Sequence, residues 1–258
     1  MRLLVTGGTG YLGRVVAELA TTAGWHVIAA GSRDVDVRDR AAVESFVVAS
    51  RPDAVIHTAY VRDGDTAWAV NVDGSEHVAR ASVGCGAWLV HVSTDVVFDG
   101  LAGRPYREED PVSPVNDYGR SKAAAEQRVR SVDPTAAIAR TSLIYSGPSR
   151  PPGPQERAAV DPAATFYSDE LRSPVQVDDL AHALLELVHV DVHGPIHVTG
   201  AEGVSRQRFA ELVAGHPVRG APAPPGRPLD CRLDSSRAAA VLRTRLRGIS
   251  EVFPPRSP

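Results

Sequence analysis

One tyrosine and one lysine, four positions apart, are the residues of this chain best suited to chemistry. Lys122 is the only lysine among the 28 basic residues, and Tyr118 precedes it in the segment Asp117–Lys122. If this segment is helical, the spacing places the phenol and the ammonium on one face, where the positive charge can stabilise a phenolate. Such a tyrosine can transfer a proton to a substrate oxygen near neutral pH. The alternative is a chance spacing in an arginine-rich sequence.

A glycine-rich turn near the start of the chain is a candidate dinucleotide site. The apolar run Leu3–Thr6 is followed by Gly7, Gly10 and Gly13, and then by a helical pattern of apolar residues that ends at Gly24. Glycines at this spacing let a pyrophosphate approach the backbone amides at a helix N-terminus. A tight turn without a ligand is the alternative. The position between a strand and a helix favours the dinucleotide site.

The end of the second predicted strand bears on the choice of cofactor. The strand His26–Ala30 is followed by Gly31, Ser32 and Arg33, at the point where dinucleotide folds meet the adenosine ribose. A carboxylate there binds the free ribose hydroxyls, whereas Ser32 and Arg33 suit the 2′-phosphate of NADP. Asp34 is an alternative ligand for the ribose, because a small register shift would place its carboxylate there. A further alternative is that Arg33 is a solvated loop residue without a ligand. We expect NADP(H) as the preferred cofactor and NAD(H) as the alternative.

Strands and helices alternate along the chain without hairpin signals. The segment Asp34–Asp39 alternates polar and apolar residues and predicts a short strand, and Asp39 is expected to cap the next helix. Further elements are expected as a helix at 41–50, strands at 54–57 and 88–92, a long helix through Trp68 and Val78, and a sixth strand at 136–140. Ser93, Thr94 and Asp95 then lie at the carboxyl end of a strand, where parallel sheets bind ligands. The predicted fold class is α/β, a Rossmann-type doubly wound parallel sheet.

The sequence changes in character after Tyr145. Residues 146–154 and 216–228 are rich in proline and glycine, which is typical of surface loops. Between them, a helix at 180–188, a strand at 196–198 and a helix started by Ser205 are too few for an independent core. We predict a dinucleotide-binding Rossmann core over residues 1–145. Residues 146–258 are predicted to form a small C-terminal substrate lobe, interleaved with the last core elements.

Composition argues against several functional classes. The chain has 258 residues, 43% of them hydrophobic, and a formal net charge of -3, so we expect neither nucleic acid nor a membrane as a partner. Cys85 and Cys231 are too few for a disulfide framework and favour a reducing compartment. The nine histidines show no metal-ligand spacing, so no metal is expected. Since no signal peptide or membrane span is visible, we expect a cytoplasmic protein.

Four segments together resemble the extended short-chain dehydrogenase/reductases. They are Val5–Gly13, Arg51–His57, Ser93–Gly100 and Tyr118–Lys122 with Glu126. Within that superfamily the chain is most similar to the dTDP-4-dehydrorhamnose reductase group, and the similarity extends to Arg172–Val175 and Asp179–Ala181. The stretch from Ser93 to Gly100 is far more specific than the glycine turn.

The resemblance implies a catalytic trio of Thr94, Tyr118 and Lys122. Tyr118 would protonate a carbonyl oxygen as hydride arrives from nicotinamide, Lys122 would hold the ribose, and Thr94 would orient the oxygen. Cofactor contacts are implied for Gly7, Gly10, Tyr11, Leu12, Gly13, Ser32, Arg33, Asp36, Val37, Thr58, Ala59, Tyr60, Tyr118 and Lys122. Substrate contacts are implied for Ser93, Thr94, Asp95 and Arg172. Arg172 is the best candidate to bind the diphosphate of a nucleotide sugar.

Two segments depart from the reductase pattern. Tyr60–Thr66 is shorter than its counterpart, and Ser146–Leu171 is compressed and proline-rich. Both lie on the side expected to select the substrate. The preferred hypothesis is an NADP-dependent reductase of a keto group, with a nucleotide sugar as its small-molecule substrate, acting as a monomer or homodimer. The alternatives are a sugar-nucleotide epimerase or dehydratase, and a non-catalytic cofactor-binding regulatory subunit.

Overall fold

A parallel sheet with helices is the framework of this α/β protein. The computed structural model describes residues 1–255. Its strands are β1 (Arg2–Thr6), β2 (His26–Ala30), β3 (Ala54–His57), β4 (Trp88–Thr94), β5 (Ala137–Thr141), β6 (Ile144–Tyr145), β7 (Phe166–Tyr167), β8 (Leu171–Arg172), β9 (Val175–Gln176), β10 (Gly194–His197), β11 (Val204–Ser205) and β12 (Gly220–Ala221). In that range the main sheet has six strands in the order β10-β5-β4-β3-β1-β2. The predicted Rossmann-type fold is confirmed.

The strand order predicts a ligand-binding position at the carboxyl ends of β1 and β3. Strand β1 pairs in parallel with β2 on one side and with β3 on the other, and β3 pairs in parallel with β4. The chain thus reverses its direction of winding at β1, and open sheets bind ligands beyond the carboxyl ends of the strands at such a point. Gly7 and Thr58 directly follow those two strand ends.

Helices at Pro154–Ala159, Ser236–Val241 and Ile249–Val252 join those that the sequence predicts. The helices are α1 (Tyr11–Thr22), α2 (Arg40–Ser50), α3 (Gly74–Cys85), α4 (Asp117–Val132), α5 (Pro154–Ala159), α6 (Val177–Leu187), α7 (Arg206–Ala214), α8 (Ser236–Val241) and α9 (Ile249–Val252). Asp39 caps α2 by accepting from the Ala42 amide at 3.1 Å, and Ser205 caps α7 by accepting from the Arg208 amide at 3.0 Å. Among the described residues no helix is both long and apolar enough to cross a membrane.

The predicted strand at Asp34–Asp39 is wrong, because this segment forms turns. The Asp34 carboxylate accepts from the Gly31 amide at 2.8 Å, and the Asp36 carboxylate accepts from the Arg38 amide at 3.0 Å. Aspartate side chains that bond nearby backbone amides favour turns over a strand ladder. The expected sixth strand is therefore the fifth, β5.

The chain divides into two compact units. The first comprises Met1–Ser93, Asp117–Ala139 and Ala181–Ile196. Within it, an apolar cluster joins β-strand residues such as Leu4, Val55 and Leu89 to Val47 of α2 and Val78 of α3. Every one of these five side chains is at most 1% exposed, so the helices hold the strands by apolar packing.

The second unit comprises Thr94–Asn116, Arg140–Leu180 and the residues from His197 on. Three two-stranded sheets pair β11 with β8, β12 with β7, and β6 with β9. Tyr145 of this unit is fully buried and lies edge-on to Phe209, with 5.7 Å between ring centroids.

Candidate active site

The glycine turn joins β1 to α1 in a closely packed arrangement. Gly7 adopts a left-handed conformation, with φ of 72°, and its carbonyl accepts from the Gly10 amide at 2.9 Å. A β-carbon on Gly13 would lie 2.3 Å from the Gly7 carbonyl oxygen. The first turn of α1 therefore approaches the loop more closely than any side chain allows. Helix α1 has no acidic residue in its first turn and no side-chain cap, so its amide end carries an uncompensated partial positive charge.

The residues after β3 pack directly against this turn. The Thr58 hydroxyl donates to the Thr6 carbonyl at 2.8 Å, and a β-carbon on Gly7 would lie 2.6 Å from the Ala59 backbone nitrogen. Tyr60 is 58% exposed, and its ring centroid lies 5.9 Å from that of Tyr118. Tyr60, one of the predicted cofactor residues, is thus a neighbour of the predicted proton donor.

The residues beyond β2 also touch the glycine turn. A β-carbon on Gly31 would lie 2.6 Å from the Thr9 hydroxyl oxygen. Ser32 and Arg33 are exposed, while the Asp34 carboxylate is bonded to the Gly31 amide. This bond ties Asp34 to its own turn, so the carboxylate that the sequence offered as an alternative ribose ligand already has a partner. The predicted phosphate role of Ser32 and Arg33 stays a prediction.

The two expected adenine contacts differ in their surroundings. Asp36 forms an ion pair with Arg38 at 2.6 Å, and the hydrogen bond from that side chain lowers the pKa of Asp36 to about 2. Val37 is buried, and its side chain packs against Gly74, where a β-carbon would lie 2.8 Å away. Their adenine contact also stays a prediction.

Tyr118 and Lys122 both lie on α4, as their spacing predicts. The Lys122 side chain is only 2% exposed, and its Nζ donates to the Val92 carbonyl at 2.8 Å and lies 3.3 Å from Nε2 of His91. Burial lowers the pKa of Lys122 to about 8, against a smaller opposing effect of the Glu126 carboxylate. An ammonium ionising near neutral pH, one helical turn from a half-buried phenol, suits proton transfer.

Asn71 is a site residue that the sequence does not identify. It is fully buried in a π-helical turn, Ala69–Asp73, directly before α3. Its Oδ1 accepts from the Val61 amide at 2.8 Å, and its Nδ2 donates to the Val61 carbonyl at 2.7 Å and to the Ser121 hydroxyl at 2.9 Å. Ser121 in turn donates to the Tyr118 carbonyl at 2.8 Å. An amide within an apolar helical pattern is the signal that could have indicated this anchor of α4.

Ser93 is committed to a protein partner. Its hydroxyl donates to the Glu126 carboxylate at 2.5 Å, and both side chains are buried. This bond ties the end of β4 to α4. The predicted substrate contact of Ser93 has no support in this geometry.

The expected phosphate ligand Arg172 lies in a buried ionic cluster of the second unit. Its side chain is 5% exposed, with Nε 3.5 Å from the Asp95 carboxylate and Nη2 3.2 Å from the Glu170 carboxylate. The remaining donors reach the carbonyls of Leu171, Leu229 and Pro228 at 2.7, 3.0 and 2.9 Å. Three guanidinium protons are thus donated to backbone carbonyls, while Nε and Nη2 also face carboxylates at ion-pair distance. This geometry gives Arg172 a structural role inside the second unit, which argues against its predicted contact with a substrate phosphate.

Asp95 is likewise occupied by protein groups. Its carboxylate accepts from the Ser142 hydroxyl at 2.6 Å and from the Thr94 hydroxyl at 3.1 Å. Burial raises the pKa of Asp95, although the Arg172 charge opposes this. Asp95 therefore orients the Thr94 hydroxyl and is not free to contact a substrate.

Comparison with known proteins gives a consistent result. The family model described as the RmlD substrate binding domain matches residues 1–248. A dTDP-4-dehydrorhamnose reductase of Mycobacterium tuberculosis is 37% identical over 227 residues, covering 83% of this chain and 74% of the relative. The Bos taurus methionine adenosyltransferase 2 subunit beta is 30% identical over 273 residues, covering 89% and 80%.

A solved structure extends the likeness to three dimensions. The crystal structure of dTDP-4-dehydrorhamnose reductase from Bacillus anthracis, in complex with NADP, has a TM-score of 0.87 at 26% identity and covers 98% of this chain and 96% of its own. The resemblance seen in the motifs is thus confirmed over nearly the whole chain. The chain belongs to the RmlD substrate binding domain family, the dTDP-4-dehydrorhamnose reductase group of the extended short-chain dehydrogenase/reductases.

Proposed function

We propose that this protein is an NADPH-dependent reductase that converts the keto group of a nucleotide sugar to an alcohol. The observation that carries the proposal is the buried ammonium of Lys122 one helical turn after Tyr118. Its lowered pKa of about 8 matches proton transfer near neutral pH. The family relationship supports a dTDP- or UDP-linked 4-keto sugar as the first substrate to test.

The glycine turn fits a dinucleotide pyrophosphate. Within the turn, a β-carbon on Gly10 would meet only the Gly7 carbonyl oxygen, at 3.0 Å, so the outer face of the loop is open. Behind it stand the uncapped amides of α1, which attract anions. Gly7, Gly10 and Gly13 would hold the pyrophosphate, and Ser32 and Arg33 the ribose 2′-phosphate. When bound, NADPH supplies the hydride.

Tyr118 and Lys122 supply the proton chemistry. Tyr118 donates its phenolic proton to the carbonyl oxygen of the substrate, and the Lys122 ammonium stabilises the phenolate that remains. The Val92 carbonyl holds that ammonium in place. The family resemblance implies that Thr94 orients the same substrate oxygen; its hydroxyl, which donates to Asp95 at 3.1 Å, would turn to donate to that oxygen.

Residues 146–171 are one of the two segments in which this chain departs from the reductase pattern. Glu156, which is buried, organises the first part of it: its carboxylate accepts from the amides of Ser146, of Gly147 at 2.9 Å and of Gly153 at 3.1 Å. Three amide donors on one carboxylate hold this loop in a defined conformation. We therefore propose this segment as a region that contributes to substrate selection.

Two other functions remain as alternatives. A sugar-nucleotide epimerase or dehydratase returns the hydride, so the absence of net NADPH consumption would identify it. A regulatory subunit is favoured by the relationship to the bovine methionine adenosyltransferase 2 subunit beta. Against it stands the Tyr118–Lys122 pair, because a protein that only binds cofactor needs no proton donor.

Substitution of Tyr118 by phenylalanine tests the proposal. Tyr118→Phe is expected to lower turnover of a dTDP-4-keto sugar by about 10²- to 10⁴-fold, the usual contribution of general acid catalysis. NADPH affinity, measured by fluorescence titration, should stay within twofold because Lys122 is intact. Phe98→Leu is the control for loss of an aromatic side chain away from the proton donor. Turnover above a third of wild type in Tyr118→Phe would contradict the proposal.

A further inference from the structure

The strand behind Lys122 carries a buried histidine. His91 lies within β4 and is 0% exposed, with its Nε2 3.3 Å from the Lys122 Nζ. Burial first, and then the nearby Lys122 charge, holds the pKa of His91 well below its usual range. His91 is therefore neutral, and facing an ammonium its Nε2 must be the proton acceptor. The proton of the imidazole then sits on Nδ1.

Packing alone does not account for this histidine. Within residues 1–255, Nδ1 of His91 is buried and has no hydrogen-bond partner. An unsatisfied buried donor costs stability that an apolar side chain would avoid. The neighbours Val90 and Leu89 on the same strand are apolar and fully or almost fully buried. What the histidine contributes is its contact with Lys122.

We propose that His91 is a positioning residue, which fixes the orientation and protonation of the Lys122 ammonium by accepting one of its protons. The Val92 carbonyl accepts a second. With two of the three protons held by β4, the ammonium keeps a single orientation. This role rests on the proposed function, since it prepares Lys122 to act beside Tyr118.

The other titratable groups around Lys122 do not replace His91. Glu126, on the same helix, raises the pKa of Lys122, but its carboxylate accepts from Ser93. His57 of β3 stacks on His91 with centroids 5.3 Å apart and is kept neutral by burial. His91 is thus the side chain on β4 placed to accept from the ammonium.

The single lysine of the chain makes a direct test available. Protein labelled with ¹³Cε-lysine, carrying a purification tag without lysine, gives one side-chain resonance, and its pH titration reports the Lys122 pKa. We expect a value near 8 in the wild type. In His91→Leu it should fall by at least half a unit, about threefold in the ionisation constant, because the ammonium loses an acceptor.

Two amide variants separate positioning from general polarity. In His91→Gln the amide oxygen can reach the position of Nε2, so the wild-type titration should return. In His91→Asn the shorter amide reaches only the position of Nδ1, so the pKa should stay low. This pair also decides the matter if His91→Leu does not fold. Equal Lys122 titrations in the Gln and Asn variants, or an unchanged one in folded His91→Leu, would overturn the role of His91.

Kinetics add a second readout. The alkaline limb of kcat/KM for a dTDP-4-keto sugar should move to lower pH in His91→Leu and His91→Asn, and return in His91→Gln. An alkaline limb that does not follow the NMR titration would overturn the coupling of His91 to catalysis. If the NMR titrations behave as expected but no variant, nor the wild type, reduces a keto sugar, the proposed function fails while His91 still positions Lys122.

Discussion

Replacing Arg172 by methionine is the sharpest test of the buried ionic cluster. The substitution keeps most of the apolar stem and removes the guanidinium. Arg172 lies between the Asp95 and Glu170 carboxylates, and it donates to three backbone carbonyls, two of them in the segment Pro228–Leu229. The variant leaves these acceptors without a donor in a region closed to water.

The expected loss of stability follows from these contacts. Breaking a buried ion pair by removing one partner costs about 3 to 5 kcal/mol. Glu170 keeps an ion pair with Arg227 at 2.5 Å, and Asp95 keeps the hydrogen bond from Ser142 at 2.6 Å. We therefore expect the lower end, about 3 kcal/mol, which lowers Tm by about 6 to 12 °C in a chain of this size.

Urea and thermal unfolding at pH 7.5 measure this loss. Arg120→Met is the matched control, because that guanidinium is half-exposed and pairs with an almost fully exposed Asp117; its loss should stay below about 1 kcal/mol. Adding Asp95→Asn to Arg172→Met should recover part of the stability, since the unpaired carboxylate is then removed. A loss below about 1 kcal/mol for Arg172→Met, with weakened nucleotide-sugar binding, would refute the structural role and restore the sequence-based one.

Three further predictions concern the cofactor side and its core. Arg33→Ala should weaken NADPH binding about tenfold while NADH binding stays the same; equal losses for both cofactors in a fluorescence titration would contradict a 2′-phosphate contact. Gly13→Ala should abolish binding of both cofactors and lower Tm, because its β-carbon would lie 2.3 Å from the Gly7 carbonyl oxygen; unchanged affinity would exclude the glycine turn as the cofactor site. Burial, and then the Lys122 charge, lowers the pKa of His57 from 6.5 to about 3. Between these two pH values the unfolded chain binds a proton at His57 that the folded chain does not, so the free energy of unfolding decreases as pH falls. From pH 7 to pH 5 the loss should be about 2 kcal/mol from this group, and urea titrations of the His57→Asn variant should show a smaller pH dependence than wild type.

Local patterns in the sequence were sufficient to predict most elements around the proposed cofactor site, apart from residues 34–39. The spacing of Gly7, Gly10 and Gly13 between an apolar strand and a helical pattern depends on neighbours in the chain, as do the caps Asp39 and Ser205. The helix that aligns Tyr118 with Lys122 is local in the same sense. For this reason the strand, turn and helix order was predicted correctly around the proposed site.

The strand predicted after β2 was wrong because side-chain hydrogen bonds compete locally with strand pairing. The polar and apolar alternation of residues 34–39 is compatible with a strand, but Asp34 and Asp36 bond backbone amides within three residues. A period of two reports only which side chains share a face. It does not report which backbone amides the aspartate side chains bond, and here those hydrogen bonds stabilise turns instead of a strand.

Only the tertiary structure decided which charged and polar side chains are partners. His91 and Lys122 are 31 residues apart, and Arg172 contacts the Leu229 carbonyl 57 residues away. From residue types alone, His91 was one of nine histidines without metal-ligand spacing, and Arg172 was an available phosphate ligand. Burial sets the protonation of the His91 imidazole, and acceptors far away in the sequence occupy the N–H groups of Arg172. Both are properties of the packed chain, which no local spacing encodes.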